Sequence, residues 1–242
     1  NYVEEEGDTR PEMPPSERLI RGAFHPERAL DLIKNYTLFE EDRGDTVKKL
    51  AQYHQYYAVE KAVERTLSTV PDDEENRIGT VFHTQGSGKS LSMVFYVKKV
   101  RRLKDMRNPT FVLITDRTAL DDQLVDQFNK AGFKTDQASS VEDVREKVDR
   151  AKGGIIFTLI HKFQTQDEEN THPVLNERQD VIVIADEAHR TQYSSLAENL
   201  RKYALPIASY LCFTATPIDK EKRSPYSAFG QDIRTYTIQQ SE

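Results

Sequence analysis

From residue 78 onward the chain repeats one alternation. Short, densely apolar runs rich in β-branched residues occur at IGTVFH (78–83), TFVLIT (110–115), GIIFTL (154–159), DVIVIA (180–185) and ASYLCFT (208–214). Between them lie stretches whose apolar positions recur every three or four residues, at 89–104, 117–130, 140–152 and 194–204. Apolar runs of this length read as strands buried on both faces, and the longer periodic stretches as helices. Strands alternating with helices predict an α/β fold with a mostly parallel sheet flanked by helices on both sides. Its ligands are expected at the carboxyl ends of the strands.

The first third follows a different pattern. NYVEEEGDTRPEMPPSERLIRG (1–22) is acidic and broken by prolines, and reads as a linker or arm. FHPERALDLIKNYTLFE (24–40) predicts a short helix and then an extended segment. DTVKKLAQYHQYYAVEKAVERTL (45–67) predicts one helix, its face marked by Val47, Leu50, Tyr57, Val63 and Leu67. PDDEEN (71–76) predicts an exposed loop. The expected organisation is an arm at 1–22, a helical extension at 23–77 and an α/β lobe at 78–242.

Composition narrows the function classes. Hydrophobic residues make up 37% of the 242 and charged residues 31%, with a net charge of −6. Contact with nucleic acid must therefore come from local patches. The single cysteine, Cys212, cannot form an internal disulfide and is expected in the core, and no C-x-x-C or H-E-x-x-H spacing suggests zinc. No apolar run approaches the ~18 residues a membrane helix needs, and no signal peptide is visible. A cytoplasmic location without a membrane partner is expected. The chain opens on Asn1 rather than Met, so it is expected to be an excerpt from a longer protein.

HTQGSGKS (83–90) carries the most specific chemistry. It departs from the phosphate-loop signature G-x-x-x-x-G-K-[ST] only in having His83 at the first glycine. A strand precedes it and a helix follows. Thr84, Gln85, Gly86, Ser87 and Gly88 form a loop of small and polar residues whose N–H groups can turn toward phosphate oxygens. Lys89 would reach the β- and γ-phosphates of ATP, and Ser90 would bind Mg²⁺. His83 lies at the strand end, where packing is the expected role. A bare glycine turn ahead of a helix is the alternative.

VIVIADEAH (181–189) is a buried strand ending in two carboxylates. Asp186 would hold the metal, and Glu187 would orient and deprotonate the attacking water. FTATP (213–217) follows the next strand, and Thr214 and Thr216 could report on the γ-phosphate. Taken singly, an acidic loop and a threonine-rich turn remain open alternatives.

In this order HTQGSGKS, DEAH and TATP resemble motifs I, II and III of superfamily 2 helicases and translocases. AQYHQYYAVEKAVE, VFHTQGSGKSLSM, VLITDRTALDDQL, IIFTLIHKF, VIADEAHRTQY and FTATPI together resemble the motor (R) subunit of type I restriction enzymes, over roughly residues 24–240. The resemblance implies a RecA-like, three-layer P-loop lobe. It implies that Gln55 reads adenine and that His189 couples the ATP site to motif III. It further implies that Arg117, Thr158, His161 and Lys162 track a nucleic-acid backbone. The implied partners are double-stranded DNA and the modification and specificity subunits of a restriction complex. For Gln55 a polar helix surface remains open, as do solvated strand-end loops for the four backbone-tracking residues. The basic run KKVRRLKDMR (98–107) reads as a solvated helix face, with DNA or a partner subunit as the alternative.

Two features of that family lie outside the sequence. After FTATP 25 residues remain (242 − 217), too few for a second RecA-like lobe. No Asp or Glu is followed two residues later by Lys, so the [DE]-x-K triplet of the family's nuclease domain is lacking. The chain is expected to bind ATP, to hydrolyse it weakly alone and not to cut DNA. Two other readings remain open: a DEAH-type helicase or remodelling ATPase, and a nucleotide-gated module that docks a partner.

Overall fold

A computed structural model describes residues 14–42, 44–69, 76–84, 86–106, 108–116, 118–150, 152–163, 174–186, 196–197, 199–215 and 229–236. Helices α1 (Pro15–Arg21) and α2 (Pro26–Asn35) open this part of the chain. A hairpin of β1 (Thr37–Asp42) and β2 (Asp45–Leu50) follows, then α3 (Tyr53–Ser68). The lobe proper contains β3 (Arg77–His83), α4 (Lys89–Val100), β4 (Thr110–Thr115), α5 (Thr118–Lys130), β5 (Asp136–Gln137), α6 (Val141–Arg150), β6 (Ile155–Leu159), β7 (Val181–Asp186), β8 (Ser209–Thr214) and β9 (Asp232–Tyr236).

Seven strands form one sheet in the order β5-β6-β4-β7-β8-β3-β9, and every pairing within it is parallel. Period-two alternation divides each central strand between two cores. Phe111 and Leu113 of β4, Ile182 and Ile184 of β7, and Leu211 and Phe213 of β8 face the side covered by α3, α4 and α5. Val112 and Ile114, Val181 and Val183, and Tyr210 and Cys212 face the other side, with Val144 and Val148 of α6 and Leu200. Both faces are thus buried, which explains why these strands are continuous apolar runs.

The five predicted strands are all present, and the Cys212 thiol is buried in the core as expected. β9 and the short β5 extend the two edges and were not predicted. The predicted helix at 194–204 is helical at 196, 197 and 199 and ends in a π-helical turn, Leu200–Ala204. Residues 15–21, inside the stretch read as a linker, form α1.

The single helix expected over 45–67 is wrong in its first part. Asp45–Leu50 pairs antiparallel with Thr37–Asp42, and Gly44, at φ +92°, permits the turn. Val47, Leu50 and Leu67 are 42%, 50% and 48% exposed, so they mark no buried face. The helix starts after Gln52, where a capping box forms: the Gln52 N–H donates to Gln55 Oε1 at 2.8 Å. Its buried residues are His54, Gln55, Tyr56, Ala58, Val59, Ala62, Val63 and Thr66.

The basic run that begins in the last turn of α4 is not a plain solvated face. Lys99 forms ion pairs with Asp31, at 2.8 Å, and with Glu60, and its ammonium stands 5.2 Å from the centre of the Tyr36 ring. Lys98 donates to the Thr37 carbonyl, and Arg102 to Asn35 Oδ1 at 3.1 Å. These cations tie α2 and the hairpin to the lobe. Burial, then Arg102, pushes the Lys98 ammonium below its usual range. Burial, then Glu60, pushes the Tyr36 hydroxyl well up.

Candidate nucleotide site

β3 delivers the phosphate-loop sequence at its carboxyl end. His83 is the last strand residue and is fully buried, 3.4 Å (Nδ1) from Ser92 Oγ. The loop turns at once: Ser87 N–H donates to the Thr84 carbonyl at 3.1 Å, and Ser87 Oγ to the same oxygen at 2.7 Å. Gly86 and Gly88 both have positive φ, +84° and +80°. A side chain would strain either one. At Gly88 an added Cβ would also lie 2.4 Å from Gln55 Nε2, whereas at Gly86 it would meet open space. Gly88 caps α4, which places Lys89 and Ser90 in the first turn, both half-buried. Gln85 lies outside the described residues.

β7 ends on Asp186, which is 8% exposed. Only β8 separates β7 from β3, so the two carboxyl ends lie close together. Lys89 Nζ approaches Asp186 Oδ1 to 2.8 Å. This is a close charge contact off the angle for a hydrogen bond, because Oδ1 accepts no aligned donor. Thr214 ends β8 between the two motifs, paired with Phe82 and fully buried. Glu187, His189 and Thr216 lie outside the described residues.

Gln55 lies against this loop and not on a helix surface. It is 3% exposed, and its Nε2 donates to Gly88 O at 3.0 Å and Ser87 O at 3.3 Å. Its neighbour His54, to which the sequence assigned no role, places Nε2 3.0 Å from Ser87 O. Nothing in the residue pattern distinguished His54 from any other histidine on a helix.

The three described residues assigned to backbone tracking do not form one surface. Thr158 lies inside the sheet at 1% exposure, so a phosphate cannot reach its hydroxyl in this arrangement. His161 is exposed and Lys162 half-buried, in a 3₁₀ turn (Ile160–Phe163) just after β6, with Lys162 Nζ donating to Ala138 O at 2.5 Å. Arg117 lies outside the described residues.

Phosphate loop, strand-end aspartate and an intervening threonine-tipped strand are the parts of an ATPase lobe, and residues 54–242 match the SWI2/SNF2 ATPase family along that whole span. The chain belongs to the SWI2/SNF2 ATPase family. It is 41% identical over 239 residues to the type I restriction enzyme HindI endonuclease subunit of Haemophilus influenzae. That match covers 91% of this chain and 23% of the relative, so the chain spans about a quarter of the relative's length.

Two solved structures share the fold. The ATP-dependent Type ISP restriction-modification enzyme LlaBIII bound to DNA superposes with a TM-score of 0.58 at 17% identity, covering 82% of this chain and 16% of that one. The Sulfolobus solfataricus SWI2/SNF2 ATPase core in complex with dsDNA gives 0.54 at 14%, covering 82% and 37%. The parallel seven-stranded sheet is that of a RecA-like lobe. Among the described residues no helix is long and apolar enough to cross a membrane, and no cluster of three His, Cys, Asp or Glu could hold a metal.

Proposed function

We propose that this chain is the first RecA-like lobe of an ATP-driven double-stranded DNA translocase, the motor of a type I restriction endonuclease subunit. The observation that carries the reading is the meeting of Lys89 and Asp186 at 2.8 Å, from two motifs almost one hundred residues apart. The similarity to the HindI endonuclease subunit supports the restriction assignment. Thr84, Gly86, Ser87 and Gly88, with Gln85, supply the phosphate cradle, and Lys89 moves from Asp186 to the β- and γ-phosphates of bound ATP. A hydroxyl at Ser90 and a largely buried carboxylate at Asp186 are hard oxygen donors that would suit Mg²⁺. When bound, the metal supplies charge neutralisation at the phosphates. Glu187 takes the proton of the attacking water. Thr214 and Thr216, with His189, pass the state of the γ-phosphate to the nucleic-acid side.

Double-stranded DNA, and the modification and specificity subunits of a restriction complex, are the proposed partners, in a prokaryotic cytoplasm. A second RecA-like lobe and a nuclease are proposed to belong to the longer parent protein. The SWI2/SNF2 match favours one second reading, a remodelling ATPase or helicase on the same chassis. Steady-state ATPase of the full-length parent decides between them. Stimulation by duplex DNA, and not by single strands or RNA, with loss in Glu187→Gln, is the expected result. Stimulation by single strands or RNA instead would move the assignment to a helicase.

A further inference from the structure

The carbonyl groups of Ser87 and Gly88 both turn toward α3. Ser87 O accepts from His54 Nε2 at 3.0 Å and from Gln55 Nε2 at 3.3 Å, and Gly88 O accepts from Gln55 Nε2 at 3.0 Å. A carbonyl can only accept, so His54 Nε2 carries the proton. His54 is 2% exposed and its ring is held on two sides. The Tyr53 ring lies 5.6 Å away at 88°, and the His83 ring 5.5 Å away at 72°.

Peptide geometry turns this into a statement about phosphate. In a planar trans peptide the C=O of one residue and the N–H of the next point in opposite directions, and the described chain has no cis bond. Holding the Ser87 and Gly88 carbonyls against α3 therefore aims the N–H groups of Gly88 and Lys89 away from α3. Those amides belong to the loop that grips phosphate through its N–H groups. With two glycines at positive φ, the loop has little conformational preference of its own, and the contacts from α3 add to its internal Ser87–Thr84 bonds in setting its shape.

We propose that His54 is a positioning residue for nucleotide binding: its imidazole N–H fixes the Ser87–Gly88 peptide so that the Gly88 amide faces the phosphates. The proposal rests on reading 84–90 as the phosphate loop of an ATP site. It also divides work between neighbours on α3. Gln55 already uses both ends of its amide, on the loop and on Gln52 N–H. If Gln55 turns to the adenine edge, His54 remains on the Ser87 carbonyl and keeps the loop shaped.

The test is equilibrium binding of Mg·ATP to the full chain by calorimetry, with thermal melting of each variant alongside. His54→Phe keeps a ring in the slot and removes the donor. His54→Gln restores an N–H at the reach of Nε2. His54→Asn, with an amide short of Ser87, repeats the donor loss without an apolar change if the Phe variant does not fold. Loss of one hydrogen bond predicts roughly three- to tenfold weaker binding for the Phe and Asn variants. The Gln variant is expected to recover most of it, with melting temperatures that do not follow the binding order. Wild-type affinity in Phe or Asn, or no recovery in a stably folded Gln variant, overturns the role of His54. Lys89→Ala separates the two levels: if it binds Mg·ATP as tightly as wild type, the phosphate-loop reading itself fails.

Discussion

Gly86 and Gly88 make a controlled pair, because they share a backbone conformation and differ in surroundings. Alanine at a φ near +80° costs about 1–2 kcal/mol of strain at either position. Gly86→Ala should cost only that, since its Cβ would meet open space among the described residues. Gly88→Ala places a Cβ 2.4 Å from Gln55 Nε2 and must expel the amide. That breaks the bonds at 3.0 and 3.3 Å to the loop carbonyls and disturbs the capping bond at 2.8 Å. At about 0.5–1.5 kcal/mol net per hydrogen bond, the excess over Gly86→Ala is about 1–3 kcal/mol. Urea unfolding of the two single variants measures the difference. Repeating Gly88→Ala in a Gln55→Ala background should remove the excess, because nothing is left to strike. Equal losses for the two glycine variants, or a coupling below about 0.5 kcal/mol, would refute the idea that α3 braces the loop.

Other outcomes follow from the same geometry. Lys99→Ala strips the cation from Asp31 and Glu60, side chains 21% and 32% exposed, and should cost about 1–3 kcal/mol, less than for a fully buried pair. Limited proteolysis should then release the segment before α3 first; unchanged protection there would contradict its docking role. Phe213→Ala, at a fully buried position of β8, should cost about 3–5 kcal/mol by urea unfolding. At α6, Lys147 and then the Ser139 N–H hold the Asp143 carboxyl down at about 2. Its ordinary value is about 3.9, so its contribution is complete above that pH and disappears as pH falls through about 2. A carboxyl NMR titration of Asp143 with a midpoint near 4 would contradict this.

The site was more legible than its frame. Strands buried on both faces, such as Thr110–Thr115 and Val181–Asp186, leave continuous apolar runs, and the glycine spacing of 83–90 left few readings. The β1–β2 hairpin was hidden because Val47 and Leu50 fall by chance on the spacing of the following helix, while the true signals were the turn at Gly44 and the capping residue Gln52. β9 offered only the weak alternation of DIRTY at a sheet edge. The basic run looked solvated because its acidic partners, Asp31 and Glu60, lie 39 or more residues away. The setting of Gln55 and His54 against the loop depends on tertiary packing, which no local pattern records.

The deciding measurement is a calorimetric titration of Mg·ATP into the full chain beside Lys89→Ala. Saturable one-to-one binding by the wild type, weakened at least tenfold in the variant, is the predicted result. Indistinguishable curves for the two proteins would contradict an ATP site built from residues 84–90 and Asp186.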